Sequence, residues 1–160
     1  MKRLLVFAVV VNLCLVGSGL LLAQGEQFVG TWKLNVAKSK FGNAAAPKNE
    51  TRTVEAQGNG AKYSFEGVVG DGSRIAYSYT TNYDGKDATI SGVGAPDGAD
   101  TIALKRVNAN TVTFTQKKSG EVVDTGRRTV SRDGKVVTIT IKGTDDHGQP
   151  TSTTTVWDKQ

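Results

Sequence analysis

The sequence predicts an all-β domain, an up-and-down antiparallel β-barrel of eight to ten strands. Three observations carry that expectation. Short runs rich in Thr, Val and Tyr recur along the chain, and Gly, Asn and Asp break them at intervals of about ten residues. Within the runs apolar and polar side chains alternate, so each strand offers one apolar face. After the N-terminus no stretch has the period of a long amphipathic helix. One apolar face per strand, repeated this often, suits a sheet that closes on itself and leaves no raw edge.

The elements follow in order. Met1-Lys2-Arg3 is a short basic segment, and Leu4 to Leu22 contains only Asn12 and Ser18 as polar side chains before the small Ala23. This is the order of a secretory signal peptide, residues 1–23, with residues 24–160 as a single domain. An uncleaved anchor is the alternative, because the apolar run is near the lower limit for a span. The missing stop-transfer flank and the strand pattern that follows favour cleavage. That leaves no stable membrane span and an exported domain, periplasmic or extracellular. Cys14 follows Leu13, where lipid attachment wants a small residue, so it reads as part of the apolar leader. As the sole cysteine, it leaves residues 24–160 to fold without disulfides or cysteine-bound metal.

Ten strands are expected: 28–36, 51–57, 61–69, 74–82, 87–93, 100–107, 111–118, 121–131, 135–143 and 151–158. Alternation puts Trp32, Leu34 and Val36 on one face, and likewise Tyr63 with Phe65, and Ile75 with Tyr77 and Tyr79. Ile102 pairs with Leu104, Val112 with Phe114, and Val137 with Ile139 and Ile141. Asp84-Gly85 and Asp133-Gly134 read as two-residue hairpins, since a type I′ turn needs positive φ at both central positions. Asn59-Gly60, Asp71-Gly72, Asn108-Ala109-Asn110 and Ser119-Gly120 mark further turns. Connections this short predict that each strand pairs antiparallel with the next. Residues 37–50 break the rhythm. They hold a short helix around Asn43–Ala46 or form a loop over one mouth, as a lid or as a plain connection.

Composition excludes several functions. The formal net charge is +5, two of the positive charges lie in the leader, and the remaining basic residues come in scattered pairs such as Lys117-Lys118. A nucleic-acid footprint needs a clustered stripe, so none is expected. A strand face of Thr and Lys is too polar for lipid, which rules out an outer-membrane barrel. The only histidine, His147, follows Asp145-Asp146 in a polar turn, with no second histidine and no cysteine to complete a metal site. No Ser-His-acid set is present, Glu66 faces out, and Asp124 stands alone as an inward acid, so an enzyme is not expected. A haem carrier would need an inward His or Tyr ligand, and no cofactor is expected.

The interior is the candidate site, because a barrel of this size encloses one small ligand or fills with side chains. Phe28, Trp32, Tyr63, Phe65, Tyr77, Tyr79 and Phe114 would line it. Arg106 is in phase with Ile102 and Leu104. Arg128 is in phase with Gly126 and Val130, Arg127 with Val123, and one of the two must point inward. A buried guanidinium is costly unless paired, and an anionic ligand head or Asp124 would supply the pair. The expected contact set is therefore Trp32, Phe65, Tyr77, Tyr79, Arg106, Phe114 and Arg128, around a small lipophilic molecule in a monomer. Trp32 is expected to plug the closed end, with Gly30 permitting close backbone approach. The alternative is a filled barrel, a structural or interaction protein of the cell envelope, with these aromatics as plain core.

Gly30-x-Trp32 on the first strand, ahead of such a meander, resembles the calycin superfamily of lipocalins and fatty-acid-binding proteins. "FVGTWKL" is similar to the opening of the latter, and "VWDKQ" to their closing strand. A wider resemblance is to small secreted bacterial lipocalin-like proteins of unassigned function. They share "GTWKLN" with "KSKF" and the segments at Tyr83–Lys86, Leu104–Arg106, Gly126–Lys135 and Lys142–Pro150, covering nearly all of the chain after the leader. The resemblance implies a lipocalin-like barrel that binds or carries a ligand without catalysis. It does not imply a fatty acid. The Arg-x-Tyr pair that holds the carboxylate in fatty-acid-binding proteins is matched by Thr155 and Trp157, so its arginine is absent. The lipocalin pattern also implies a late arginine packed on the first tryptophan, for which Arg127 or Arg128 would serve.

Overall fold

The computed structural model describes residues 26–42, 46–144 and 148–160. The leader, residues 43–45 of the expected short helix, and the Asp145-Asp146-His147 turn lie outside the described residues. The described chain forms one antiparallel sheet of eleven strands. They are β1 (Gly30–Leu34), β2 (Asn49–Gln57), β3 (Gly60–Val68), β4 (Arg74–Thr81), β5 (Asp84–Thr89), β6 (Ser91–Val93), β7 (Thr101–Asn108), β8 (Thr111–Lys118), β9 (Glu121–Val130), β10 (Val136–Thr144) and β11 (Pro150–Lys159). The order around the sheet is β5-β7-β8-β9-β10-β11-β1-β2-β3-β4-β6.

Eleven strands replace the expected eight to ten, and the reason is local. The single strand expected over 87–93 is divided at Ile90, whose N–H bonds to Asp100 O (2.8 Å). Its first part, β5, pairs with β7, and its second, β6, pairs with β4. The two ends of the sheet are thus consecutive pieces of chain, and one kinked run from Asp84 to Val93 nearly closes the barrel. Strand-by-strand pairing therefore holds from β7 to β11 and from β1 to β4, and fails between β4 and β7.

Gly92 makes this seam possible. It adopts φ +119°, and a Cβ there would lie 2.1 Å from Ala76 O on β4, so only glycine fits. Neither expected two-residue hairpin forms: β9 and β10 are joined by the five residues 131–135, where Gly134 but not Asp133 has positive φ, and at Asp84-Gly85 the chain has already turned. The turn falls at Asn82-Tyr83, with Tyr83 at φ 58°, and Asp84-Gly85 begins β5 beside a bulge.

The apolar faces converge as their alternation requires. Trp32, Tyr63, Ile102, Leu104, Val112 and Val137 are completely buried. Val36 departs from its expected face and is exposed. β1 ends at Leu34, and residues 36–38 form a 3-10 turn whose Lys38 N–H is capped by Asn35 Oδ1 (3.1 Å). The strand expected from Phe28 likewise begins later, because residues 26–28 form a 3-10 turn. β11 pairs with β1 in the register Trp32↔Lys159 and Leu34↔Trp157, tying the two ends of the described chain together.

Candidate functional site

At one end the barrel is plugged. The Trp32 indole N–H donates to Phe28 O (2.8 Å), and the Tyr63 and Tyr83 hydroxyls bond to each other (2.8 Å). Arg106 lies over the Tyr83 ring at 4.3 Å and the Phe28 ring at 5.7 Å, and its Nη1 reaches Asn108 O and Ala109 O at 3.4 Å. The cation over Trp32 is Lys159, 5.2 Å from the ring centroid, not Arg127 or Arg128. Gly30, at φ +130°, abuts the side chain of Lys159 and not a neighbouring backbone. The tight approach at Gly30 thus fits the lysine that covers Trp32.

Toward the other end the barrel holds a cavity of about 440 Å³. Phe65 and Tyr77 stack in its wall with centroids 4.3 Å apart, and Phe114, Ile139 and Trp157 extend the apolar surface. The mouth is bounded by Phe41 and Pro47 from the 37–50 segment and by Gly94 to Asp97 from the β6–β7 connection. The 37–50 segment therefore borders the cavity, as a covering loop would.

The polar groups of the cavity are unusual for a core. Arg128 is 4% exposed and stands in the wall, while Arg127 is exposed, which decides between them. Arg128 Nη1 donates to the Tyr79 hydroxyl (2.7 Å), and the guanidinium lies over Phe114 at 4.8 Å and Tyr63 at 5.1 Å. Its Nε has no hydrogen-bond partner among the described residues. Burial works against its charge, but the Tyr79 and Tyr63 oxygens outweigh this and hold its pKa above the ordinary arginine value.

Arg52, on β2, is 1% exposed and stacks on Trp157 at 4.6 Å, with Nε and Nη1 unpartnered. Burial, and then the charge of Arg128, lowers it to about 10. Glu50, two residues earlier, lines the cavity. Burial raises its carboxyl to about 7, although Arg52 pulls the other way. Gln116 Oε1 is buried without a partner, and the Trp157 indole N–H is satisfied by Thr155 Oγ1 (2.9 Å). Asp124 is buried near the mouth, where burial and then a hydrogen bond with Asp97 raise its pKa.

The expected contact set thus divides. Phe65, Tyr77, Phe114 and Arg128 face the cavity. Tyr79 sits behind it as the hydroxyl that holds Arg128. Trp32 and Arg106 belong to the plugged end and do not line the cavity. Arg52, Glu50, Gln116 and Trp157 were not anticipated. The signal for the first two was present, because Glu50, Arg52 and Val54 alternate on one strand and Val54 is core. Among the described residues no three His, Cys, Asp or Glu side chains cluster as metal ligands. No helix among them is long and apolar enough to cross a membrane.

No protein-family model matches the chain, and no curated protein matches it. Similar solved structures include a de novo designed fluorescence-activating β-barrel, at 13% identity and TM-score 0.45, covering 86% of this chain and 98% of that one. Another is a redesigned β-barrel, mFAP1, bound to DFHBI, at 12% identity and TM-score 0.44, covering 86% and 99%.

Proposed function

We propose that this is an exported, lipocalin-like barrel that binds or carries a small lipophilic molecule in its interior and catalyses no reaction. The supporting observation is the cavity of about 440 Å³, walled by aromatic and aliphatic side chains with a buried guanidinium among them. A few polar groups converging on an apolar pocket fix the orientation of a ligand, whereas a barrel built only for stability fills with side chains. The basic, apolar and small order of Met1 to Ala23 supports export.

Native mass spectrometry of the protein purified from its own periplasm or medium tests this reading. A co-purifying small molecule is the expected result. A clean apo mass, together with unchanged tryptophan fluorescence across a panel of lipophilic compounds, would favour the filled structural barrel. Trp157 is the reporter to watch, because it lines the cavity and Trp32 does not.

A further inference from the structure

We propose that the cavity is built for an organic acid, whose anionic head meets Arg128 in the field of Arg52 while its apolar body lies against Phe65, Tyr77 and Phe114. This rests on the interior-binding reading and names the chemical class of the ligand. The two guanidinium groups lie inside the barrel, and Arg128 lowers the pKa of Arg52 by its charge. Neither has a salt bridge to a carboxylate among the described residues. The acids nearest the cavity do not neutralise them: Glu50 is pushed toward its protonated form, and Asp124 is engaged with Asp97.

Two buried like charges with unpartnered N–H groups are poor structural elements. Burying a charge costs several kcal/mol unless it is paired, and well-packed apolar side chains of similar size serve a core as well or better. The aromatic faces around Arg128 and Trp157 beneath Arg52 offset part of that cost, but a ring face does not satisfy a guanidinium N–H. Tyr79 meets only Nη1 of Arg128, and Nε, itself closed off from solvent, is left without a partner in a side chain that forms part of the cavity wall. An acid head at the Arg128 guanidinium in the cavity wall supplies the negative charge that no carboxylate among the described residues brings to either arginine in a salt bridge.

The test uses two probes with the same ring system. Anilinonaphthalene sulfonate carries an anion, and N-phenylnaphthylamine lacks only the sulfonate. The folded wild-type protein should bind the sulfonate about tenfold to a hundredfold more tightly than the neutral probe, the range expected for charge-assisted hydrogen bonds. Arg128→Met should erase that preference while keeping affinity for the neutral probe, and Arg52→Met should reduce it. Arg127→Met makes the same change of net charge on the outer face and should leave the preference intact. Circular dichroism and thermal melting establish that each variant is folded. If Arg128→Met fails to fold, Arg128→Lys and Arg52→Met carry the comparison.

Equal binding of the two probes, or a preference untouched by both interior variants, overturns the organic acid and leaves interior binding standing. If a folded protein binds neither probe, and no other lipophile, the interior-binding reading itself fails.

Discussion

Replacing Glu50 by Gln isolates the energetic cost of an acid at the cavity wall. Burial raises the carboxyl from 4.5 to about 7, with Arg52 too weak an attraction to reverse it. The folded protein therefore prefers the protonated acid. That preference contributes stability in full below about pH 4.5, and the contribution is lost as pH rises through 7. At about 1.4 kcal/mol per pKa unit the ceiling is about 3 kcal/mol. Glu50 is only partly buried by its surface exposure, so solvent screening reduces this to about 1–2 kcal/mol. Urea unfolding of wild type and Glu50→Gln at pH 5 and pH 8 reads the effect directly. The two should differ little at pH 5, and the variant should be the more stable by about 1–2 kcal/mol at pH 8. Asp124 titrates in both proteins and cancels in the comparison. Parallel curves at both pH values, or a wild type that gains on the variant as pH rises, would refute the reasoning. Glu50 would then be solvated or firmly paired with Arg52.

Other perturbations probe the closure of the barrel. Trp32→Ala removes a completely buried indole from the plugged end and should cost about 3–5 kcal/mol in urea unfolding, with the fold retained by far-UV circular dichroism. A loss below about 1 kcal/mol would place Trp32 outside the core. Gly92→Ala forces a Cβ against Ala76 O in a backbone conformation that disfavours it, and should cost about 1–3 kcal/mol. Hydrogen exchange should show lost protection confined to Ala76–Ser78 and Ser91–Val93, while the β8–β9 and β9–β10 amides stay protected. Uniform loss of protection would mean that the seam is not a separate weak point.

Most of the barrel was legible because alternation is a backbone property. A strand with one apolar face declares its inward residues wherever the chain is regular, which placed Tyr63, Phe65, Ile75, Tyr77, Tyr79 and Phe114 correctly in the interior. Legibility failed where hydrogen bonding, not polarity, decides. Nothing in the run from Asp84 to Val93 announces that its first half pairs with β7 and its second with β4, because the pattern of side chains does not record which neighbour a backbone bonds to. The site was half legible. Arg128 could be narrowed to one of two neighbours, and the structure chose. Arg52 and Glu50 obey the same alternation as Val54, but charged side chains suggest solvent, and that habit of composition hid their phase. Trp32 carries two expectations, a plug of the closed end and a ligand contact, and only the plug agrees with the structure, because sequence phase gives the face of a strand and not the depth along the barrel.

The placement of charge now distinguishes the two ends more sharply than the aromatics do. At the plugged end Arg106 is half-buried: its Nη1 reaches two carbonyl oxygens near a turn while its Nε and Nη2 are buried without a partner among the described residues, and Lys159, which lies over Trp32, is exposed to water. At the cavity end Arg128 and Arg52 are almost wholly removed from solvent. Aromatic side chains occupy both ends alike, and by themselves suit a filled core as well as a binding pocket. Two wholly buried cations without a carboxylate partner favour the pocket over the core, because a structural core gains little from charges it leaves unsatisfied. The same wall includes the seam. Tyr77 lines the cavity and pairs with Gly92, and Gly94 and Ala95 continue past it to the mouth. β6 holds to β4 through only three residue pairs, against nine for β2 with β3. The interior is therefore bounded beside its buried charges by one of the two three-pair joins of the sheet, the other being β1 with β11, and this join is a part of the wall that opens at low cost.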